Sequence, residues 1–372
     1  MTDTFGPSAP QADPPPPGTA FGLVGLDRRV IWQSDPQMLD MLTACAPEPC
    51  DAERVAQRFG ADRMSAALQR GWLQSPDELC RDYHLVSGEI EITSHCNWGC
   101  RFCPVSMDPK PPRTMPMDLF EEIIAKLADV GTIDYVTFQH YNEPTLDKHF
   151  TDRLEVLARH RMQLALYTNA SALTPDKIDA LRRLGVLRHL IVNMPSIDPG
   201  EFAELTASRS YPHVVRNLEQ AITAGFRVQI VVNGAGERLA RNLEGLTRRY
   251  APLGVEVFPS LTCDRAGDGP AEYFQDVHVD GQLTGCGWPV HHANISVTGD
   301  MFLCCNDYYQ RETFGNIRDG SIHDLMTSDA AVRLRRQVFG VADAAAGFLC
   351  RRCHNQQLDF PAREFRPIAT FG

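Results

Sequence analysis

Seven of the twelve cysteines fall into two groups whose spacings suit metal ligands, and the first group is the more specific. Cys96, Cys100 and Cys103 form a Cx3Cx2C run. Three thiolates on one loop can each hold one iron of a four-iron cluster and leave the fourth iron without a protein ligand. A structural zinc ion needs a fourth ligand, and His95 is poorly spaced to supply it because it adjoins Cys96.

The second group lies in the C-terminal part of the chain. Cys286 and Cys304 are separated by seventeen residues, and Cys350 and Cys353 by two. Four thiolates suit a zinc ion and an iron–sulfur cluster equally well on spacing alone, so both alternatives stay open at this point. Cys305 adjoins Cys304 and is an alternative ligand.

The composition argues against several classes of protein. The 372-residue chain has a net charge of −11, whereas a duplex nucleic-acid binder needs a basic surface. The mean hydropathy is −0.25, and no apolar run approaches the roughly 18 residues of a membrane span. Residues 1–20 contain six prolines, which predicts a disordered tail. They have no apolar core, so we do not expect a secretory signal there. Disulfide frameworks belong to short secreted chains, so we expect a cytoplasmic protein with metal-bound thiols.

The central part of the chain alternates between strands and helices. β-rich runs recur six times between residues 88 and 260, with helical segments between them. This alternation predicts parallel βα units and therefore an α/β fold. Polar residues follow several of these strands, at the end where a parallel barrel places its chemistry. Each of them alone is weak evidence, because Asn and Ser are also common turn formers.

The flanking segments have a different character. Residues 21–85 read as two strands and three short helices, which fits a winged-helix-like module. Residues 291–305 predict a hairpin, a helical segment follows, and the segment after Cys353 is expected to be irregular. The predicted domains are a Pro-rich tail at 1–20, the module at 21–85, a partial (β/α)6 barrel at 86–262, and a β-hairpin/helix domain at 263–372.

The Cx3Cx2C loop, with Phe102 before its last cysteine, resembles the signature of the radical S-adenosylmethionine (SAM) superfamily. Asn142-Glu143-Pro144 resembles the Gly-Gly-Glu-Pro motif of that family, although Asn142 stands where the family has a glycine. The resemblance covers residues 88–260. It implies a partial (β/α)6 barrel with a [4Fe–4S] cluster on the cysteine loop, and a contact from Glu143 to the amino group of SAM.

Further residues match the SAM contacts of the same family. Thr168 and Asn169 end the third predicted strand, where the family places polar contacts to the ribose. Asn193 and Ser196 follow the fourth strand, in a segment that resembles one touching the SAM carboxylate.

The second cysteine group resembles the twitch form of the auxiliary-cluster domain, a shortened relative of the SPASM domain. Gly299 precedes Cys304 by five positions, and this spacing favours Cys304 over Cys305 as the ligand. The resemblance implies one auxiliary iron–sulfur cluster of the [4Fe–4S] type, held by Cys286, Cys304, Cys350 and Cys353. It also implies a flavodoxin- or ferredoxin-type electron donor.

Three residues after the sixth strand are candidate catalytic residues. Cys263 is a spare thiol or a hydrogen-atom donor to a substrate radical, and both interpretations stay open. Asp264 and Arg265 follow it, either as a base and a substrate anchor or as a surface ion pair.

The resemblance implies cleavage of SAM to a 5′-deoxyadenosyl radical, which abstracts a hydrogen atom from the substrate. A four-cysteine auxiliary cluster has no open iron, so it suits electron transfer and a two-electron oxidation. The N-terminal module resembles PqqD-like domains, which implies a ribosomal precursor peptide as the substrate. The alternative is a small molecule, because the four-cysteine pattern also resembles that of an aminocyclitol alcohol dehydrogenase. Related proteins epimerise sugars, a reaction in which Cys263 would return the hydrogen atom.

Overall fold

The computed structural model describes residues 21–24, 30–33, 35–45, 52–70, 72–73, 80–261, 264–270, 281, 283, 286–353 and 367–370. The predicted tail at residues 1–20 lies outside them. Among the described residues, no helix has the length and apolar character needed to cross a membrane.

The N-terminal module has the elements that the sequence predicts. Two antiparallel strands precede three helices, and the helices pack around a small cluster that includes Met41 and Trp72. The elements are β1 (Phe21–Val24), β2 (Val30–Gln33), α1 (Pro36–Cys45), α2 (Ala52–Phe59) and α3 (Ala61–Gln69).

Six parallel strands in the order of the chain form the centre of the described structure, which confirms the α/β fold and the partial barrel. The strands are β3 (Ser87–Ile90), β4 (Tyr135–Thr137), β5 (Leu164–Thr168), β6 (Leu187–Asn193), β7 (Val228–Gly234) and β8 (Glu256–Leu261). The helices between them are α4 (Met117–Val130), α5 (Phe150–Arg159), α6 (Pro175–Leu184), α7 (Pro199–Thr206), α8 (Tyr211–Thr223) and α9 (Gly236–Tyr250).

The side chains of β3 alternate between two faces, as they must in a strand. Ile90 packs in the core between the strands and the outer helices. Gly88 points the same way, and a Cβ atom there would lie 2.6 Å from Leu127 Cδ1 of α4. The close packing of α4 therefore requires glycine at this position. Ser87 and Glu89 face the barrel interior instead.

The C-terminal region extends the same sheet. β9 pairs in parallel with β3, and the predicted hairpin turns at Gly299, whose φ of 87° favours glycine. The nine described strands of this sheet run in the order β11-β10-β9-β3-β4-β5-β6-β7-β8. The new elements are α10 (Trp288–His291), β9 (His292–Ile295), β10 (Asp300–Phe302), β11 (Thr313–Asn316), α11 (Ile322–Thr327) and α12 (Asp329–Val338).

The expectation of an irregular segment after Cys353 is wrong at Pro367–Thr370. These residues form β12, which pairs antiparallel with β1, so the N-terminal sheet has the order β12-β1-β2. The backbone of β1 supplies the hydrogen-bond partners of β12, and these are distant in sequence, so no local pattern predicts them.

A buried ion pair fixes the start of α5. Arg153 and Asp147 are fully buried, and Arg153 Nε donates to Asp147 Oδ2 at 2.5 Å. Arg153 Nη2 also donates to the carbonyl oxygen of Met115 at 2.5 Å. The pair thereby connects α5 to the segment that precedes α4.

We expect Arg153→Met to lower the free energy of unfolding by about 3–5 kcal/mol, because Asp147 would be left as an uncompensated buried charge. Denaturant unfolding monitored by circular dichroism measures this loss. Arg159→Met is the matched control, since its ion pair with Glu121 is exposed and is worth about 1 kcal/mol at most. Equal stability losses in the two variants would contradict the structural role of the buried pair.

Candidate functional site

The loop that carries the Cx3Cx2C motif follows β3 and is fastened to the end of α7. Gly99 N donates to the carbonyl oxygen of Thr206 at 3.0 Å, and Arg101 N donates to that of Leu205 at 2.9 Å. These are carbonyls of the last turn of α7, which lack partners within the helix. The helix end thus holds the cysteine loop in place.

The three thiols of this loop lie close enough to interact electrostatically. Burial raises the pKa of Cys96 to about 12 and that of Cys100 well above its ordinary value, and the neighbouring sulfurs add to the rise in both cases. Burial also raises the pKa of Cys103. Thiolates are the form that binds metal, so this group requires a strongly positive centre such as iron among the three sulfurs.

Glu143 is 1% exposed and its carboxylate accepts hydrogen bonds from two loops. Oε1 accepts from Thr145 N at 2.9 Å, from the Thr145 hydroxyl, and from Thr168 Oγ1 at 2.7 Å. Oε2 accepts from Asn169 N at 2.6 Å. Burial raises the pKa of this carboxyl, and the hydrogen bonds from Thr145, Thr168 and Asn169 oppose that rise. The carboxyl therefore ties its own loop to the end of β5.

The same two loops also contact the cysteine loop. Glu143 N donates to the carbonyl oxygen of His95 at 2.9 Å, and Asn169 Nδ2 donates to Asn97 Oδ1 at 2.9 Å. Three strand ends thus converge on a cavity of about 460 Å³.

Most of the predicted SAM-binding residues line this cavity. Together with the three cysteines, they are Phe102, Asn142, Glu143, Thr168, Asn169 and Asn193. Pro144 and Ser196 are not among the described residues that line it. Ser196 is fully buried, and its hydroxyl donates to Glu201 Oε2 at 2.5 Å. The predicted role of Ser196 toward SAM therefore stays a prediction.

The second cysteine group forms a separate buried site. Cys286, Cys304, Cys350 and Cys353 line one small cavity. Burial raises the pKa of Cys304 well above its ordinary value, and the sulfurs of adjacent Cys305 and of the other three add to the rise. The structure thus brings together thiols from three separate segments of the chain.

The zinc alternative fits both groups less well. Among the described residues, no three His, Cys, Asp or Glu side chains lie close enough together to hold one metal ion. Four sulfurs bound to one zinc at about 2.3 Å must crowd around a single point. A cluster of several irons takes one ligand on each iron and spreads them over a larger space, so it does not need this close approach.

Three residues from two segments of the chain lie between the two cavities. Trp288, Cys305 and Asn306 line both of them. Asn306 Nδ2 donates to Cys353 Sγ at 3.4 Å, and Arg265 Nη1 donates to Asn306 Oδ1 at 3.2 Å. Cys304 thus faces the other three thiols, whereas Cys305 also faces the cavity of the first cysteine group. We call Trp288, Cys305 and Asn306 the shared wall.

The three candidate catalytic residues have different positions. Cys263 lies outside the described residues. Arg265 lines the larger cavity and has a left-handed backbone with φ of 51°. Asp264 is not among the described lining residues, and its carbonyl oxygen accepts from Gly269 N at 2.7 Å in a turn. Of these residues, the geometry supports a site role for Arg265.

Sequence reasoning did not select the polar residues on the inner face of the barrel. Strand alternation would have identified them, since alternate residues of a barrel strand face the interior. A buried carboxylate is costly, so one on the inner face of a barrel strand indicates a ligand or a chemical role. Those that line the cavity include Glu89, Thr137, Tyr167, Asn233 and Ser260.

Two family models match the chain where this geometry lies. The radical SAM superfamily model matches residues 90–239, and the iron–sulfur cluster-binding SPASM domain matches residues 286–354. The chain is a radical SAM enzyme with a SPASM domain. It uses SAM with a [4Fe–4S] cluster, and its SPASM domain binds auxiliary iron–sulfur. The donor sets fit these groups: the three cysteines of the Cx3Cx2C loop line the larger cavity, the four later cysteines line the smaller one, and Cys305 lines both.

Individual relatives differ in their activities. The chain is 21% identical to the S-adenosyl-L-methionine-dependent 2-deoxy-scyllo-inosamine dehydrogenase of Niallia circulans, over 72% of this chain and 92% of that protein. It is 28% identical to the GTP 3′,8-cyclase of Pasteurella multocida (strain Pm70), over 59% of this chain and only 66% of the cyclase. The structure of Streptococcus suis SuiB bound to precursor peptide SuiA matches with a TM-score of 0.59 at 13% identity, covering 86% of this chain and 82% of SuiB.

We expect Cys304→Ser to lose the auxiliary cluster and Cys305→Ser to retain it, because Cys304 lies among the other three thiols. Anaerobic iron and sulfide analysis of the reconstituted variants should then give roughly half the wild-type iron for Cys304→Ser and the full amount for Cys305→Ser. The reverse pattern would show that Cys305 is the ligand. Cys96, Cys100 and Cys103 replaced together by Ala should also leave about half the iron, since the two sites are separate.

Proposed function

We propose that the enzyme removes two hydrogens from its substrate, one as a hydrogen atom and the other as a proton and an electron. Bound SAM and the first cluster supply the radical that takes the hydrogen atom. The auxiliary cluster accepts the electron, and a flavodoxin- or ferredoxin-type protein reduces the first cluster. The residues of the first cavity hold SAM and the substrate in contact and exclude water.

The shared wall is the observation that carries this proposal. An electron acceptor is useful only if it lies close to the carbon that becomes a radical. Here the shared wall lines both the cavity of the three cysteines and that of the four. Arg265 and Asn306 continue this connection through hydrogen bonds as far as Cys353.

A small polar molecule is the first candidate substrate. Polar side chains from several strands line the interior of the barrel, and they suit a molecule with many hydroxyl groups. The dehydrogenase of Niallia circulans, whose name gives an aminocyclitol substrate, aligns over nearly its whole length. We therefore favour an alcohol of the aminocyclitol or sugar class.

A precursor peptide is the second candidate. β2 is an edge strand of the three-stranded N-terminal sheet, and an extended peptide can add to such an edge. SuiB, whose structure contains a bound precursor peptide, has the same fold over most of this chain. In this case the N-terminal module would bind the leader of the peptide.

A direct assay separates the two substrate classes. Reduced, reconstituted enzyme is incubated with SAM and, in separate reactions, with 2-deoxy-scyllo-inosamine, glucosamine, or precursor peptides encoded near the gene. Mass spectrometry then detects products that lack two hydrogens. We expect the enzyme to oxidise an amino alcohol and to leave the peptides unchanged. Oxidation of a peptide alone would favour the second candidate, and wild-type enzyme that forms no such product would contradict the proposed oxidation.

We expect Cys350→Ala to cleave SAM at close to the wild-type rate but to form at least about 100-fold less oxidised product, because the electron acceptor is lost. Liquid chromatography of 5′-deoxyadenosine and product measures both quantities. Cys45→Ala, which changes a cysteine of α1 outside both groups, is the control and should behave as wild type. Full oxidation by Cys350→Ala would remove the auxiliary cluster from the reaction.

Epimerisation predicts a different isotope result. An epimerase returns a hydrogen atom to the substrate, so its product formed in D₂O carries one solvent deuterium and loses no hydrogen. Cys263 and Cys305 are the candidate donors. Oxidation predicts that neither thiol is required for product formation. One incorporated deuterium, abolished by Cys263→Ala or Cys305→Ala, would overturn the proposed oxidation.

A further inference from the structure

Glu89 is a buried carboxyl that the residues around it leave incompletely paired. It is 3% exposed, projects from the inner face of β3, and lines the larger cavity. Its Oε2 atom has no hydrogen-bond partner among the described residues. A buried carboxyl oxygen without a partner is costly, so its retention indicates a ligand or a chemical role.

Glu91, which directly follows β3, provides an internal comparison. It is 1% exposed, and its carboxylate accepts from Lys110 Nζ at 2.9 Å, from Gln310 Nε2 at 2.9 Å and from Val297 N at 3.2 Å. Glu91 is not among the described residues that line the cavity. Two buried carboxyls two residues apart thus differ in whether they are fully paired.

Burial raises the pKa of Glu89 to about 7, and a hydrogen bond from Gln139 partly opposes the rise. A carboxyl that titrates near neutral pH can accept and release a proton under working conditions. Several titratable groups face it. His292 of β9 has Nδ1 3.6 Å from Oε1, and His140 Nε2 lies 3.2 Å from the Glu89 carbonyl oxygen. Burial lowers the pKa of His140 to about 4, so His140 is neutral.

The other titratable groups that line this cavity are Cys96, Cys100, Cys103, Tyr135, Tyr141, Glu143, Tyr167, Arg265 and Cys305. Burial raises the pKa of Tyr167, and neighbouring Tyr135, Glu89 and Cys305 add to the rise. Tyr167 therefore stays protonated near neutral pH and does not compete as a base. Glu91, directly after β3, is paired with Lys110.

The surroundings of Glu89 define what the cavity accepts. Thr137, Asn193, Asn233 and Ser260 bring hydroxyl and amide groups from four further strands into the same cavity. Earlier on the strands, Ala165, Ile191, Val231 and Phe258 form an apolar cluster that closes the interior below them. Such a closed end with hydrogen-bonding walls suits a compact molecule with several hydroxyl or amino groups.

We propose that Glu89 accepts the hydroxyl proton of the substrate carbon that is oxidised, in a barrel pocket that takes a small molecule bearing hydroxyl and amino groups. This inference rests on the oxidation proposed above. The H–C–O–H unit becomes C=O when three particles leave: the hydrogen atom goes to the SAM-derived radical, the electron to the auxiliary cluster, and the proton to Glu89 Oε2. Glu89 is thus a catalytic residue on β3, the first strand of the barrel.

Glu89→Gln tests the role, with Glu91→Gln as the matched control. Infrared difference titration of the full-length holoprotein should show a carboxyl that titrates near pH 7 in wild type and in Glu91→Gln, and none in Glu89→Gln. This readout requires no turnover. With 2-deoxy-scyllo-inosamine or glucosamine as the probe, Glu89→Gln should still form 5′-deoxyadenosine but oxidise the probe at least about 100-fold more slowly.

The pH dependence of the oxidation rate tests whether Glu89 acts as the base. The base must be ionised, so wild-type oxidation should rise with pH up to about 7 and level off above it, and Glu91→Gln should keep this profile. Oxidation by Glu89→Gln at the wild-type rate with an unchanged profile would overturn the proposal while leaving the oxidation itself intact. Persistence of the titrating carboxyl in Glu89→Gln would overturn it as well. Wild-type enzyme that oxidises peptides but neither probe would refute the small-molecule pocket, and absence of any oxidised product would refute the proposed function with it.

Discussion

The carboxylate of Glu143 is the interaction on which the rest of the site depends. A buried carboxylate is tolerated only when its oxygens accept hydrogen bonds, and here Thr145, Thr168 and Asn169 donate them. This requirement brings the end of β5 against the loop after β4. The backbone bond from Glu143 to His95 adds the cysteine loop. The buried carboxyl and the backbone of Glu143 together thus set the spacing of three loops from three strands around a common cavity.

Much of this arrangement is visible in the sequence, because it follows from local patterns. The six parallel strands match the six β-rich runs that alternate with helical segments between residues 88 and 260. The Cx3Cx2C loop and the polar residues after the strands share one cavity because parallel strands end at one edge of the sheet. The four later cysteines also meet as their spacing suggests.

Other features depend on contacts that no local pattern contains. Ser196 has the polar character of a ligand contact, yet Glu201 and Asn242 satisfy its hydroxyl within the fold. In the sequence, Glu89 is simply one charged residue within a strand. Its burial and its position in the cavity follow only from the other strands of the barrel. Pro367–Thr370 lacks a strand signal of its own and becomes β12 only beside β1. In each case a partner distant in sequence decides the outcome.

The parallel pairing of β9 with β3 has a consequence for how the molecule can be divided. A partial barrel is an open sheet, and its first strand presents unpaired backbone groups that attract other chains. Here β9 covers that edge from Ser87 to Ile90. A fragment cut between the barrel and the auxiliary region would expose this row of amides and carbonyls. The cluster-binding region therefore also protects the barrel against edge-to-edge aggregation. Although two family models match the two regions separately, the barrel depends on the cluster-binding region to stay in solution.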